Sequence, residues 1–163
     1  MSGPGPVKLS VASMCSEDLP AVETIEKDSP SRWNRRQFAD EFKQPGAFQY
    51  VVREHAAQPI KGFLCGRQIG DEAEILKLAV AGHVRRQGVG GFLLTYVLDV
   101  LAQQGVASCF LELRSSNTAG RRLYDKAGFE QTGTRNKYYS APSEDAVLMM
   151  KRLQGRVIIQ EHS

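Results

Sequence analysis

Apolar and polar positions alternate at Val7, Leu9 and Val11, which predicts a short strand with one buried face. Ser16, Glu17 and Asp18 then offer a hydroxyl cap and an acidic first turn, so a helix is expected to run to about Lys27. Asn34 reads as the cap of a second helix, which carries Phe38 and Phe42 four apart and is stopped by Pro45-Gly46. Strand-like runs follow at 48–53, 60–69 and 74–80, parted by turn signals at 55–59 and at Gly70-Asp71. That order predicts an antiparallel meander. Val89, Phe92, Leu93, Tyr96, Val97, Val100 and Leu101 keep helical spacing over 89–104, and Gly105 stands where a C-terminal cap belongs. Residues 106–113 are almost continuously apolar, as in a strand buried on both faces. A helix over 118–127 ends at Gly128 and completes a second crossover unit; strands at 129–139 and 146–153 close the pattern, and 154–163 reads as a frayed tail.

The expected architecture is therefore α/β (α+β), a mixed, mostly antiparallel sheet flanked by about four helices, in one domain over 1–153. With 163 residues, 42% of them hydrophobic, the chain can bury one sizeable core but not two. A net charge of +3 suits an anionic ligand without supplying the dense basic stripe of a nucleic-acid binder. Cys15, Cys65 and Cys109 are odd in number and widely spaced, so they predict reduced, mostly core thiols and no metal site. The N-terminal residues lack a charged-then-apolar signal pattern, and no apolar run approaches the ~18 residues of a membrane span. A soluble cytoplasmic protein is expected, monomeric by default, with a dimer open through an edge strand near the C-terminus.

One segment changes the picture. Leu78-Ala79-Val80 leads through a short loop into Arg85-Arg86-Gln87-Gly88-Val89-Gly90-Gly91 and the longest helix. Strand, glycine-rich loop and helix N-terminus in that order let backbone N–H groups approach a pyrophosphate. The bland alternative is a tight connection. No Gly-Lys-Ser/Thr follows, so the loop is not of the Walker type, and it is not the G-x-G-x-x-G of a dinucleotide fold.

The spacing of Arg85, Gly88 and Gly90 resembles the [Q/R]-x-x-G-x-[G/A] coenzyme A motif of the GNAT N-acyltransferases. More narrowly, Leu111-Glu112-Leu113-Arg114-Ser115-Ser116-Asn117, Leu123-Tyr124 and Ala127-Gly128-Phe129 resemble the signature of the ribosomal-protein-alanine N-acetyltransferase (RimI) family. The likeness extends to Trp33, Tyr138-Tyr139 and Glu144-Asp145-Ala146, and covers nearly all of 7–153.

This resemblance implies the GNAT fold and acetyl transfer from acetyl-CoA to the α-amine of a protein N-terminus, by family the alanine of a ribosomal protein. It implies Glu112 as general base, Tyr124 as general acid toward the departing thiolate and so also in contact with the coenzyme, and Asn117 facing the pantetheine arm. Leu78, Ala79 and Val80 would hold the acetyl and pantetheine; Arg85, Arg86, Gln87, Gly88, Val89, Gly90 and Gly91 the pyrophosphate; Trp33, Tyr138 and Tyr139 the acceptor.

Without the resemblance the same residues read differently. Glu112 would be a strand-end carboxylate paired with Arg114 or a lysine, and Tyr124 a half-buried helix residue with a solvated hydroxyl. Tyr138 and Tyr139 would be cross-strand packing, and Arg85, Arg86, Arg121 and Arg122 solvated faces. Two departures from the family pattern stand near the acceptor: Ala81-Gly82-His83 replaces an Asp-Pro loop, and Lys77 replaces a polar uncharged residue. They leave open a small-molecule amine or lysine acceptor, with a non-catalytic acyl-CoA-binding module as a third reading.

Overall fold

The computed structural model describes residues 8–55, 57–85 and 87–153. The elements run β1 (Ser10–Ser13), α1 (Leu19–Glu26), α2 (Arg35–Glu41), β2 (Ala47–Arg53), β3 (Gly62–Ile69), β4 (Glu72–Val80), α3 (Val89–Gln103), β5 (Ser108–Arg114), α4 (Thr118–Lys126), β6 (Glu130–Ser140) and β7 (Ser143–Arg152). Single 3-10 turns stand at Ser16–Asp18 and Gly82–Val84. The seven strands form one sheet in the order β1-β2-β3-β4-β5-β7-β6. The expected meander is β2-β3-β4. Among the described strands only β4 and β5 pair in parallel, because α3 carries the chain back over the sheet between them.

Strand alternation divides the core in two. On one face Val52, Leu64, Ile75, Cys109, Leu111, Leu113 and Met149 pack with Leu93, Val97 and Leu101 of α3 and with Tyr124 of α4. On the other, Val51, Phe63 and Cys65 lie under Val22 of α1 and Phe38 of α2. Trp33, Phe38 and Phe63 form an edge-to-face chain there, with centroids 5.3 and 5.4 Å apart. No helix among the described residues is long and apolar enough to cross a membrane.

Two expectations need correction. The first helix opens at Leu19 after a separate 3-10 turn capped at Cys15, whose N–H donates to Asp18 at 2.9 Å, because Pro20 has no N–H to offer and fits only a first turn. β5 is not buried on both faces: Phe110 is 37% exposed, since α1 and α2 cover only the β1–β4 half of that face. The expected second crossover unit runs from β5 through α4 to β6, with β7 inserted between the two strands. Tyr124 is buried, against the half-buried alternative read for it without the resemblance. The start of the first expected strand at Val7 and the tail over 154–163 lie outside the described residues. The second helix begins as expected, with Asn34 and Gln37 exchanging a reciprocal capping pair at 2.8 Å in each direction.

A β-bulge positions the site. Cys65 pairs with Lys77 but Gly66 pairs with Ile75, so Leu76 is an extra residue on β4. Pairing with β5 ends at that point, at Ile75 opposite Leu111. Beyond it, residues 77–80 hold only to β3 and residues 112–114 only to β7. The two strands part, and a wedge opens between them.

Candidate active site

The wedge is bounded on the β4 side by Leu78, Ala79 and Val80. Leu78 and Val80 pack toward the α3 face and Ala79 toward the α1 face, leaving the strand's backbone toward the gap without a ladder partner in β5. At its open end stands the start of α3. Gly88 is its N-cap at φ +79°, no side chain caps the first turn, and the first bond back to the cap runs from Phe92 N to Gly88 O at 3.0 Å. The N–H groups of Val89, Gly90 and Gly91 therefore have no intrahelical acceptor and carry the positive end of the helix dipole. A Cβ on Gly90 would stand 3.3 Å from Val80 and 3.6 Å from Leu123, so glycine lets α3 begin against both β4 and α4. This is a fit for an anionic, phosphate-bearing group such as coenzyme A.

Arg85, Gln87 and Gly88 are exposed beside it; the side chain of Val89 is core, so only its backbone faces outward; Arg86 lies outside the described residues. A cavity of about 290 Å³ lined by Leu9, Lys61, Gln87 and Val89 adjoins this helix start. A larger one of about 420 Å³ lies near the C-terminal end of α3 and takes in none of the expected site residues.

Left-handed backbone costs a side-chain-bearing residue about 1–2 kcal/mol. Gly88→Ala is therefore expected to weaken acetyl-CoA binding several-fold in calorimetry, by straining the turn that presents those N–H groups.

Glu112 alternates with Leu111 and Leu113 and so projects to the α1 face, whereas Tyr124 packs on the opposite face with Leu113 and Phe129. The proposed acid and base thus approach the β5 edge of the wedge from opposite sides of the sheet. Burial, with a smaller contribution from Cys109, pushes the Tyr124 phenol well above its ordinary value, so it stays protonated at neutral pH.

Glu112 is not paired with Arg114 or a lysine. Its Oε1 lies 3.5 Å from Arg135, and its carboxylate accepts from the Tyr138 hydroxyl, which raises that phenol's pKa. Tyr138 and Tyr139 meet edge to face at 5.1 Å. Glu74 shares the face, and its pKa is raised by burial and then by Glu112. Asn117 sits at the mouth of α4 as expected, with its Oδ1 accepting from Gly120 N at 2.9 Å as the cap.

Trp33 lies between α1 and α2. Its backbone N–H donates to Glu26 Oε2 at 2.9 Å, and Lys77 Nζ stands 5.0 Å over its ring. Glu26, only 1% exposed, is the ion-pair partner of Lys77. Across the wedge, Arg114 donates to Pro142 O at 2.8 Å and lies 4.4 Å over the Tyr139 ring. Sequence reasoning missed Glu26 and the part played by Arg114. Glu26 had a signal, an acidic residue on the i, i+3, i+7 stripe of Leu19 and Val22.

The chain matches the Acetyltransferase (GNAT) family over residues 18–129. It is 33% identical over 144 residues to the [Ribosomal protein bS18]-alanine N-acetyltransferase of Escherichia coli K12, covering 86% of this chain and 95% of that protein. The crystal structure of the ribosomal-protein-S18-alanine N-acetyltransferase from Escherichia coli superposes with a TM-score of 0.80 at 30% identity, over 89% of this chain and 94% of the other. Ard1 from Thermoplasma volcanium superposes with a TM-score of 0.80 at 28% identity, over 90% and 99%.

Proposed function

The chain belongs to the Acetyltransferase (GNAT) family, an acetyl-CoA-dependent N-acetyltransferase, and from that premise we propose that its acceptor is the α-amine of a protein N-terminus. By likeness to the enzyme from Escherichia coli, that acceptor is an N-terminal alanine of a ribosomal protein. The observation that carries this reading is that Glu112 and Tyr124 reach the β5 edge of the wedge from opposite faces of the sheet.

When bound, acetyl-CoA supplies an activated acetyl thioester. The unpaired N–H groups at the start of α3, with Arg85 and Gln87 beside them, hold its pyrophosphate, and the open backbone of residues 78–80 holds the arm. Glu112 takes the proton that the amine sheds as the new amide forms. An α-amine with a pKa of about 7.7–8.0 is already neutral in roughly a tenth of molecules at pH 7, so a modest base suffices, provided the amine is well placed. Tyr124, kept neutral by burial, holds the proton that the departing thiolate takes up. Trp33, Tyr138 and Tyr139 flank the approach on the Glu112 side.

The test is acetyl-CoA turnover, read as released thiol, on short peptides beginning Ala-Arg against the same peptides blocked at the N-terminus. Transfer that needs the free α-amine is expected. Equal rates would point to lysine acetylation, and turnover of polyamines alone to a small-molecule acceptor. The raised Tyr124 pKa has its own consequence: kcat is expected to show no decline from that phenol up to about pH 10, the ordinary tyrosine value. A decline below that pH that disappears in Tyr124→Phe would contradict it.

A further inference from the structure

Beyond the bulge the two walls of the wedge share no ladder, yet they are joined again on the Glu112 face by one residue of the α1–α2 connection. Lys77, two residues past the last paired position of β4, donates to Ser31 O at 2.8 Å. Arg114, three past the last paired position of β5, donates through Nη2 to Ser31 Oγ at 2.9 Å. Ser31 itself is exposed, so the crossing lies at the mouth of the wedge. The same two cations hold the aromatic flanks: Lys77 lies over Trp33 and Arg114 over Tyr139. Arg114 further donates through Nη1 to Pro142 O and to Glu144, which fastens the β6–β7 turn to the same point.

We propose that Ser31, pinned from β4 by Lys77 and from β5 by Arg114, is a strap that sets the spacing of Trp33 and Tyr139, and that Arg114 is its positioning residue for the acceptor. The strap rests on the reading of a peptide acceptor given above. Arginine suits the task because its planar fork serves Ser31 and Pro142 from separate nitrogens, which the single nitrogen of lysine cannot do from one position. The strap lies on the Glu112 face, away from the start of α3, so its loss should loosen the acceptor without touching coenzyme binding.

Ser31→Ala and Arg114→Lys separate the contributions. Ser31→Ala keeps the carbonyl that Lys77 uses and removes only the hydroxyl that Arg114 uses. Both variants are expected to raise KM for an Ala-Arg peptide about five- to tenfold, with kcat within about twofold and the acetyl-CoA dissociation constant unchanged. Trp33, the one tryptophan in the chain, gives a readout independent of catalysis. Its quenching by acrylamide is expected to rise about twofold in Ser31→Ala. Unchanged quenching in Ser31→Ala, or a peptide KM that stays at the wild-type value in both variants, overturns the strap. If the wild-type enzyme turns over no peptide, the peptide reading fails instead, and the quenching result alone then decides for or against the strap.

Discussion

Replacing Tyr124 with phenylalanine is expected to lower kcat about 10²- to 10⁴-fold, the range over which a positioned general acid contributes. The substitution removes one oxygen and leaves the ring, so packing against Phe129 and Leu113 should persist and the protein should fold with nearly unchanged stability. Acetyl-CoA affinity should also hold, because the groups assigned to the pyrophosphate lie at the start of α3. Steady-state kinetics with thiol detection, beside a thermal melt, reads all three quantities. A kcat within a fewfold of wild type would remove Tyr124 from the chemistry and leave it as core. Glu112→Gln is a weaker probe, since an α-amine is partly neutral without help and the change also disturbs Arg135 and Tyr138.

The largest effect on stability is expected from Lys77→Ala. Glu26 is 1% exposed and would lose its cationic partner, keeping the backbone N–H of Trp33. Stranding a buried charge costs about 3–5 kcal/mol, which in a domain of this size lowers Tm by roughly 10 °C. Removing both charges is a different matter. In Glu26→Gln with Lys77→Met, neither charge of this pair is left, and much of the lost stability should return. Chemical denaturation of the single and double variants measures the coupling. A single variant that loses less than about 1 kcal/mol would mean that water reaches Glu26 and the pair is not truly interior.

Much of the fold was readable because its signals are local. The seven strands, the capping pair at Asn34 and the long apolar stripe of α3 all follow from residues close in sequence. The glycine spacing likewise located the start of α3 and its first-turn N–H groups. What stayed hidden depends on pairing at a distance. Leu76 is one apolar residue among several, and nothing in its neighbours says that Cys65 and Gly66 skip over it. Arg114 was legible only as a possible partner for Glu112; side chains two apart on a strand share a face, but Arg114 turns instead to Ser31 and Glu144, while Arg135 reaches Glu112 from β6. The apolar run over 106–113 suggested a strand covered on both sides, and only the limited reach of α1 and α2 shows why Phe110 is partly bare.

The short contact between β4 and β5 bears on how the chain assembles. Only four paired positions, Glu72 to Ile75 with Ser108 to Leu111, join the two parts of the sheet. Pairs β1–β2, β2–β3 and β3–β4 form between successive strands of the chain, and β6–β7 is a hairpin, so each part can nucleate on nearby contacts. The seam must wait until all of α3 has crossed over the sheet. In hydrogen exchange the sheet should therefore open first along this line, with the amides of residues 108–111 exchanging before those at the centre of β3, and a molecule lodged in the wedge should slow that opening by tying together two units that otherwise fold apart.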